Sequence, residues 1–321
     1  MTTSRLIRAP LWATLVAASL AAIGVTLFVF VQSGQAAPAA DDQASATKAA
    51  KASYQIVGGK PVPDGKYPFM VAIFDKKKPP NPNNPYRMIC AGTLIDENSV
   101  LTAGHCLLAW PNYKKFYSPQ RLLVTVGPTV LTSSQGQVRS VKRFSVHPDF
   151  KEFEDPNDPY WLQDKYDAGV IELSRPVSGI APIKLATSKQ NYLERPGRNA
   201  TVAGWGLQLA YQPGADFPPE SVVQERMREA QVPIVSDSRA KQIYTDYIPP
   251  ILIAAGGKGK DACLGDSGGP MFAGNGSSGG KYTQIGITSY GAGCGAKGVP
   301  GVYTEVNNPS IRSFITSEAS N

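Results

Sequence analysis

The chain has 321 residues, of which 42% are hydrophobic and 18% charged, with a formal net charge of +7, four cysteines and two histidines. Its bases are scattered, with no arginine-rich stripe and no aromatic interleaving. That removes any case for nucleic-acid binding and leaves a solvated surface as the reading of the charge. The 266 residues after Gln55 suffice for one large core or two small ones.

Residues 1–10 carry Arg5 and Arg8 and no acid, and Leu11 to Val31 then runs for 21 residues without a charge. Small residues follow in Ser33-Gly34-Gln35-Ala36-Ala37. Residues 1–36 therefore read as a secretory signal peptide. The apolar run is also long enough to cross a bilayer once, so an uncleaved anchor with its basic end inside is the alternative. Either way the rest of the chain is exported, and a membrane is a partner only if the leader stays. Residues 37–55, rich in Ala, Ser, Lys and Asp, lack the large apolar residues a core needs and read as a disordered propeptide. The two segments hold four bases (Arg5, Arg8, Lys48, Lys51) and two acids (Asp41, Asp42), which leaves +5 on residues 56–321. Four cysteines in an exported chain predict two disulfides, for which three pairings exist.

Short apolar, β-branched runs then recur between Gly, Pro and Asn: Phe69–Phe74, Ile89–Ile95, Leu122–Val126, Val170–Leu173, Thr201–Ala203, Ile285–Thr288 and Gly301–Val306. Long helical periodicity is missing apart from Pro309 to Glu318. The pattern predicts an all-β barrel or sandwich with a short C-terminal helix. Two insertions stand out. Asp75 to Arg87 holds three lysines and four prolines and cannot be a strand interior. Asp149 to Asp164 carries Asp149, Glu152, Glu154, Asp155, Asp158 and Asp164. Asn199-Ala200-Thr201 and Asn275-Gly276-Ser277 match the glycan acceptor pattern.

Chemistry concentrates in Gly265-Asp266-Ser267-Gly268-Gly269-Pro270, a serine between glycines, where a tight backbone exposes a hydroxyl. Such a hydroxyl is a weak nucleophile without a base. The candidates are His105, at the end of an apolar run beside Cys106, and His147, before Pro148, which reads as structural or exposed. A base needs a carboxylate to hold its tautomer, and Asp167, opening the apolar run Asp167-Ala168-Gly169-Val170-Ile171, is the best placed.

Thr102-Ala103-Gly104-His105-Cys106, Asp167 before its strand and Gly265–Pro270, in the order His, Asp, Ser, resemble the trypsin branch of the chymotrypsin-fold serine proteases. Ile56-Val57-Gly58-Gly59, Val202-Ala203-Gly204-Trp205-Gly206 and Pro300-Gly301-Val302-Tyr303-Thr304 extend the resemblance from Ile56 almost to the C-terminus. It implies two six-stranded antiparallel β-barrels, about 56–178 and 179–321, with the active site between them. It implies His105, Asp167 and Ser267 as the triad, the amides of Gly265 and Ser267 as the oxyanion hole, and the disulfides Cys90–Cys106 and Cys263–Cys294. The serine proteases it resembles place at Asp261 the base of the primary pocket, at Gly291 and Gly301 its walls, and at Ser289-Tyr290-Gly291 the segment that pairs with substrate backbone.

An aspartate at 261 implies substrates with Arg or Lys. Ala262, without a hydroxyl, favours the forked guanidinium over the ammonium. The acids of 149–164 would border the acyl-side subsites and either favour further basic residues or form a solvated face. Cleavage before Ile56 would pair its new α-ammonium with Asp266, making the precursor a zymogen. Gln55, however, is not a residue that a trypsin-like enzyme cuts after, so an activating protease is expected. Other implied partners are protein or peptide substrates and protein protease inhibitors, and the expected state is a monomer. No cofactor and no metal is expected: Gly127–Gly136, where many trypsins hold calcium, has no carboxylate, and Pro300 stands where a sodium-responsive relative would carry tyrosine.

Overall fold

The computed structural model describes residues 56–78, 87–109, 115–151, 154–155, 158–162, 164–208, 210, 223–274 and 282–319. The leader, the propeptide, most of the Asp75–Arg87 insertion and Asn275 lie outside the described residues. Among those described, no helix is long and apolar enough to cross a membrane.

Six strands make the first barrel: β1 (Met70–Asp75), β2 (Met88–Leu94), β3 (Ser99–Thr102), β4 (Leu122–Val126), β5 (Gln137–Val146) and β6 (Gly169–Leu173). They close in the order β1-β2-β3-β6-β5-β4, every pairing antiparallel. Period-two burial is plainest in β4, where Leu122, Val124 and Val126 point inward and Leu123 and Thr125 are half-buried, as a strand with one face on a core requires.

Six more strands follow: β7 (Asn199–Gly204), β8 (Arg228–Pro233), β9 (Leu252–Gly256), β10 (Pro270–Ala273), β11 (Thr283–Tyr290) and β12 (Pro300–Glu305). They run β8-β7-β10-β11-β12-β9 as a curved sheet. Its two end strands come together through one bridge, Ile234 with Ala255, so this barrel closes less fully than the first. Two short pieces enlarge the sheet. Lys60–Pro61 pairs with β8, and Lys184–Leu185 runs parallel to β11.

Both ends of the described chain cross to the other barrel. Ile56, 1% exposed, is buried in the second barrel's core with Val202, Ile285 and Tyr303. Helix α1, Pro309–Glu318, is capped by Asn308, whose side chain accepts from the amides of Ser310 and Ile311, as an N-cap residue should. This helix lies on the first barrel. Its Phe314 meets the His147 ring edge-on at 5.1 Å, and Ser310 Oγ is 3.2 Å from His147 Nε2. His147 Nδ1 accepts from the Asp149 amide, so Nε2 carries the proton and donates to Ser310. Burial pushes this imidazole below its ordinary range. His147 is thus a structural residue, as its position before Pro148 suggests.

Aromatic rings fill the seam between the barrels. Tyr67 and Phe69, ahead of β1, pack against Phe272 of β10 and Tyr282, mostly edge-to-face with centroids 5.1–5.7 Å apart. Edge-to-face pairs add to what area burial contributes. Glu229 of β8 is buried and accepts from Tyr67 Oη and Lys66 Nζ, so its charge is paired inside the protein. Asp75 is likewise buried and holds Arg121 by a two-point bond of 2.6 and 2.5 Å. The 127–136 loop is tied by Gln135, whose side-chain oxygen accepts from the amides of Thr129 and Val130.

Because Phe272 is fully buried at this seam, Phe272→Ala is expected to destabilise the protein by about 3–5 kcal/mol. Val138, half-exposed on β5, should tolerate alanine with little change. Urea unfolding of the two variants checks the contrast.

Candidate active site

The register of β3 on β6 brings the histidine and the aspartate together. Thr102 faces Gly169 at the end of that ladder. The chain leaves β3 and reaches His105 three residues later, and it enters β6 from Asp167 two residues earlier. His105 Nδ1 lies 2.8 Å from Asp167 Oδ2, and the His105 amide donates to Asp167 Oδ1 at 2.9 Å. His105 keeps one-fifth of its side chain exposed, while the Asp167 side chain has none. The disulfide Cys90–Cys106 fastens the histidine turn to β2, as the resemblance implies.

The second barrel supplies the rest of the aspartate's shell. Ser289 Oγ donates to Asp167 Oδ2 at 2.6 Å, and Thr304 Oγ1 donates to the Asp167 carbonyl at 2.9 Å. Burial opposes the Asp167 charge, but the facing imidazole, the Ser289 hydroxyl and the His105 amide outweigh it and hold the carboxyl below its usual range. The same pairing acts on His105. Burial disfavours the imidazolium, yet the charges of Asp167 and Asp164 raise it well above the ordinary value. The sequence reading placed Ser289 with the substrate backbone; its hydroxyl bond to Asp167, and that of Thr304, were not anticipated. Ser289 lies within β11 at the register shift between Thr288 and Tyr290, and Thr304 within β12, and a strand hydroxyl gives no sign of its partner in the chain alone.

Ser267 sits in the turn before β10. Its carbonyl accepts from the Ala91 amide of β2 at 2.8 Å, which joins the serine turn to the first barrel. Gly268 has φ +75°, and a Cβ there would fall 2.2 Å from Thr102 Oγ1 and 2.5 Å from the Ala91 carbonyl. Only glycine lets the two barrels approach this closely. Among the described residues, no hydrogen bond links Ser267 Oγ to His105; His105 Nε2 is 3.7 Å from Cys106 Sγ. Such bonds often tighten only with substrate in place. The amides of Asp266, Gly268 and Gly269 donate to Cys263, Thr288 and Asp266. Those of Gly265 and Ser267 make none of the hydrogen bonds found among the described residues.

A narrow cavity opens beside Ser267, walled by Ser289-Tyr290-Gly291 and by Gly301. Asp261, 1% exposed, also lines it. A Cβ on Gly301 would stand 2.7 Å from Asp261 Oδ1, so a side chain there would block the way to the carboxylate. The Gly295 amide reaches Asp261 Oδ2 at 3.3 Å and Tyr303 Oη reaches Oδ1 at 3.5 Å. Burial, against these weak donors, pushes the carboxyl well above its usual value. Disulfide Cys263–Cys294 ties the serine loop to the wall that carries Gly295. Asp266, also buried, accepts from the amides of Gly206 (2.7 Å) and Cys263 (3.0 Å), and burial raises it to about 7.

A serine in a glycine-flanked turn and an imidazole held by a buried aspartate, carried on paired β-barrels, make up this site. Residues 56–315 match the family model described as Trypsin. The chain is 34% identical over 253 residues to a trypsin of Saccharopolyspora erythraea, covering 78% of this chain and 93% of that protein. It is 35% identical over 268 residues to a trypsin-like protease of Streptomyces glaucescens, covering 82% of each. It is also 31% identical over 266 residues to a venom protease of Bombus pensylvanicus, covering 81% and 98%. The chain belongs to the trypsin family and is a serine endopeptidase.

A hydrogen bond to a charged group contributes roughly 1.5–3 kcal/mol. Ser289→Ala, which takes the donor from Asp167, is therefore expected to lower kcat by about ten-fold or more, with a smaller effect on KM. Steady-state kinetics on a small amide substrate checks it.

Proposed function

We propose that this protein is an exported endopeptidase that hydrolyses peptide bonds after arginine, and less well after lysine, through Ser267, His105 and Asp167. The observation that carries the specificity is Asp261. It is a buried carboxylate lining the cavity beside Ser267, with no cation paired to it among the described residues. Leaving such a charge unpaired is costly, and a basic side chain entering the cavity offsets that cost. Ala262 offers no hydroxyl to an ammonium, whereas a guanidinium forks onto the carboxylate.

In this reading Ser267 Oγ attacks the scissile carbonyl while His105 Nε2 takes its proton. Nδ1–H stays on Asp167, which fixes the tautomer that leaves Nε2 free to accept. The oxyanion settles against the N–H groups of Gly265 and Ser267. The tetrahedral intermediate collapses, the C–N bond breaks and His105 passes its proton to the leaving amine, which leaves an ester on Ser267. Water then attacks that ester, with His105 again the base, and releases the acid. This sequence is the general template for such triads; the residues filling it are the proposal.

The precursor is a zymogen in this reading. Ile56, once cut free, brings an α-ammonium to Asp266, the second buried acid without a cation. Gln55 makes the cut the work of another protease. The leader, residues 1–36, and the propeptide, residues 37–55, are removed in export and activation.

The deciding experiment is hydrolysis of matched Arg, Lys, Phe and Ala peptide amides by protein beginning at Ile56, with Ser267→Ala as control. Cleavage of the Arg amide ahead of Lys, absent in the control, is expected. Cleavage of Phe or Ala instead would overturn the pocket assignment and keep the nucleophile.

Asp266 supplies a pH test of the zymogen step. Its folded pKa of about 7 exceeds the ordinary 3.8, so the uncut fold binds more protons there than the unfolded chain. The stability it contributes is present below the ordinary value and is lost as pH rises through about 7. In uncut protein the melting temperature of Asp266→Asn should therefore gain on wild type as pH rises from about 4 to about 8. In protein beginning at Ile56 the ammonium partner should cancel that gain. Thermal melts of both forms across pH check it.

A further inference from the structure

Asp164 closes the acidic insertion, yet its side chain is turned inward and only 3% exposed. Its Oδ2 stands 3.4 Å from His105 Nδ1, the nitrogen that meets Asp167 at 2.8 Å. Ligand atoms of the three groups all lie within 4.8 Å of one another. Asp164 Oδ1 is buried and has no hydrogen-bond partner among the described residues.

Two carboxylates three residues apart reach one ring because the chain turns sharply between them. Tyr166 has φ +52°, a conformation that L side chains other than Asn and Asp seldom adopt and that costs of order 1–3 kcal/mol. The turn is held on both sides. Lys165 pairs its amide and carbonyl with Lys151, and the Tyr166 ring stacks on His147 with centroids 4.8 Å apart. A strained backbone kept in place by this packing presents Asp164 to the imidazole.

The electrostatics of the cluster are one-sided. No lysine or arginine forms an ion pair with Asp164 or Asp167 among the described residues. The other groups facing them are Ser289, which donates to Asp167, and Tyr290 of β11, whose phenol feels both carboxylates; Tyr244 and Asp246 act on that phenol in turn. Cys106 is tied in its disulfide. With the imidazole neutral, two buried anions face the one ring N–H. With it protonated, the ring's charge serves both.

We propose that Asp164 is a positioning residue for the base: a second buried carboxylate that steadies the His105 imidazole and stabilises the imidazolium formed while the Ser267 proton is in transit. The proposal rests on the reading of His105 as that base. Asp164 acts through the ring and does not touch the reacting atoms. Burial and the charge of Asp167 raise Asp164 to about 6, while the facing imidazole lowers it. Asp164 and His105 therefore titrate as a joint system and not as two independent groups. The enzyme loses its base at a higher pH than Asp167 alone would dictate.

Asp164→Asn keeps the shape and removes the charge. Two readouts separate this proposal from the protease reading. The first is NMR titration of the imidazole resonances in the Ser267→Ala background, where only His105 and His147 contribute. Asp164→Asn is expected to lower the His105 midpoint by about one pH unit or more and to leave His147 in place. The second is the acid limb of kcat/KM in active protein beginning at Ile56, which should move down by the same amount, with Asp164→Glu restoring it.

An unmoved His105 midpoint overturns the proposal whether or not the protein hydrolyses anything. Lost activity with an unmoved acid limb makes Asp164 structural and overturns it too. A shifted midpoint in protein that cleaves none of the four amides supports the carboxylate–imidazole pairing and instead sinks the protease reading. Asp164→Ser, which leaves room for water, carries the same expectation should the Asn variant not fold.

Discussion

Asp167 has no side-chain exposure and draws its hydrogen-bond partners from both barrels: its carboxylate accepts from the amide and ring of His105 and from the hydroxyl of Ser289, and its backbone carbonyl accepts from Thr304. Taking a carboxylate out of water costs several kcal/mol unless its lone pairs are met. Neither barrel alone meets them. Docking of the barrels and ionisation of Asp167 are therefore one condition. The features around it serve the same end. The Ala91 amide reaches across to the Ser267 carbonyl, Gly268 lets its backbone lie against Thr102, and the Tyr67, Phe69, Phe272 and Tyr282 rings lock the far side of the seam. Crossed ends reinforce it, with Ile56 buried in the second barrel and α1 lying on the first.

The buried acids divide into two groups by partner. Asp75 and Glu229 are satisfied inside the fold, by Arg121 and by Lys66 with Tyr67, and sit below their ordinary range because those partners outweigh burial. Asp261 has amides and the Tyr303 hydroxyl as donors and Asp266 amides alone; burial raises both, and Asp266 adds to the rise at Asp261. A fold selected for stability alone has no reason to keep two such groups close together. The reading proposed above gives each a cation from outside the folded precursor: the substrate's side chain for Asp261, the freed amino terminus for Asp266. The charge balance is then completed by activation and by substrate, so the stability forgone in the precursor becomes binding energy later.

Much of this architecture was legible in the chain, and what was hidden has a common cause. The motif residues are readable because close backbone approach restricts them: at Gly268 a Cβ would clash with two groups of the other barrel, and that restriction survives in sequence. β4 was likewise visible as the apolar, β-branched run Leu122–Val126, and α1 as the stretch from Pro309 to Glu318. β5 was missed because Gln137–Val146 is largely exposed and carries three basic residues, so it shows no apolar run. β8 was missed because Glu229, facing Tyr67 and Lys66, breaks its apolar pattern. In each case the residue type is decided by a partner from elsewhere in the chain.

Asp164 is the sharpest instance. In the sequence it ends an acid-rich stretch, broken by Pro156, Asn157 and Pro159, and either reading of that loop leaves it pointing outward. What turns it in is the left-handed turn at Tyr166, and that turn is held by His147 and by the Lys151–Lys165 pairing. Composition and periodicity describe a residue's own preference, and here the preference is overruled by packing at three neighbours. The same argument explains why His147 is more than a bystander. Through Tyr166 on one face and α1 on the other, a histidine with no chemical role fixes the backbone that carries both carboxylates to His105.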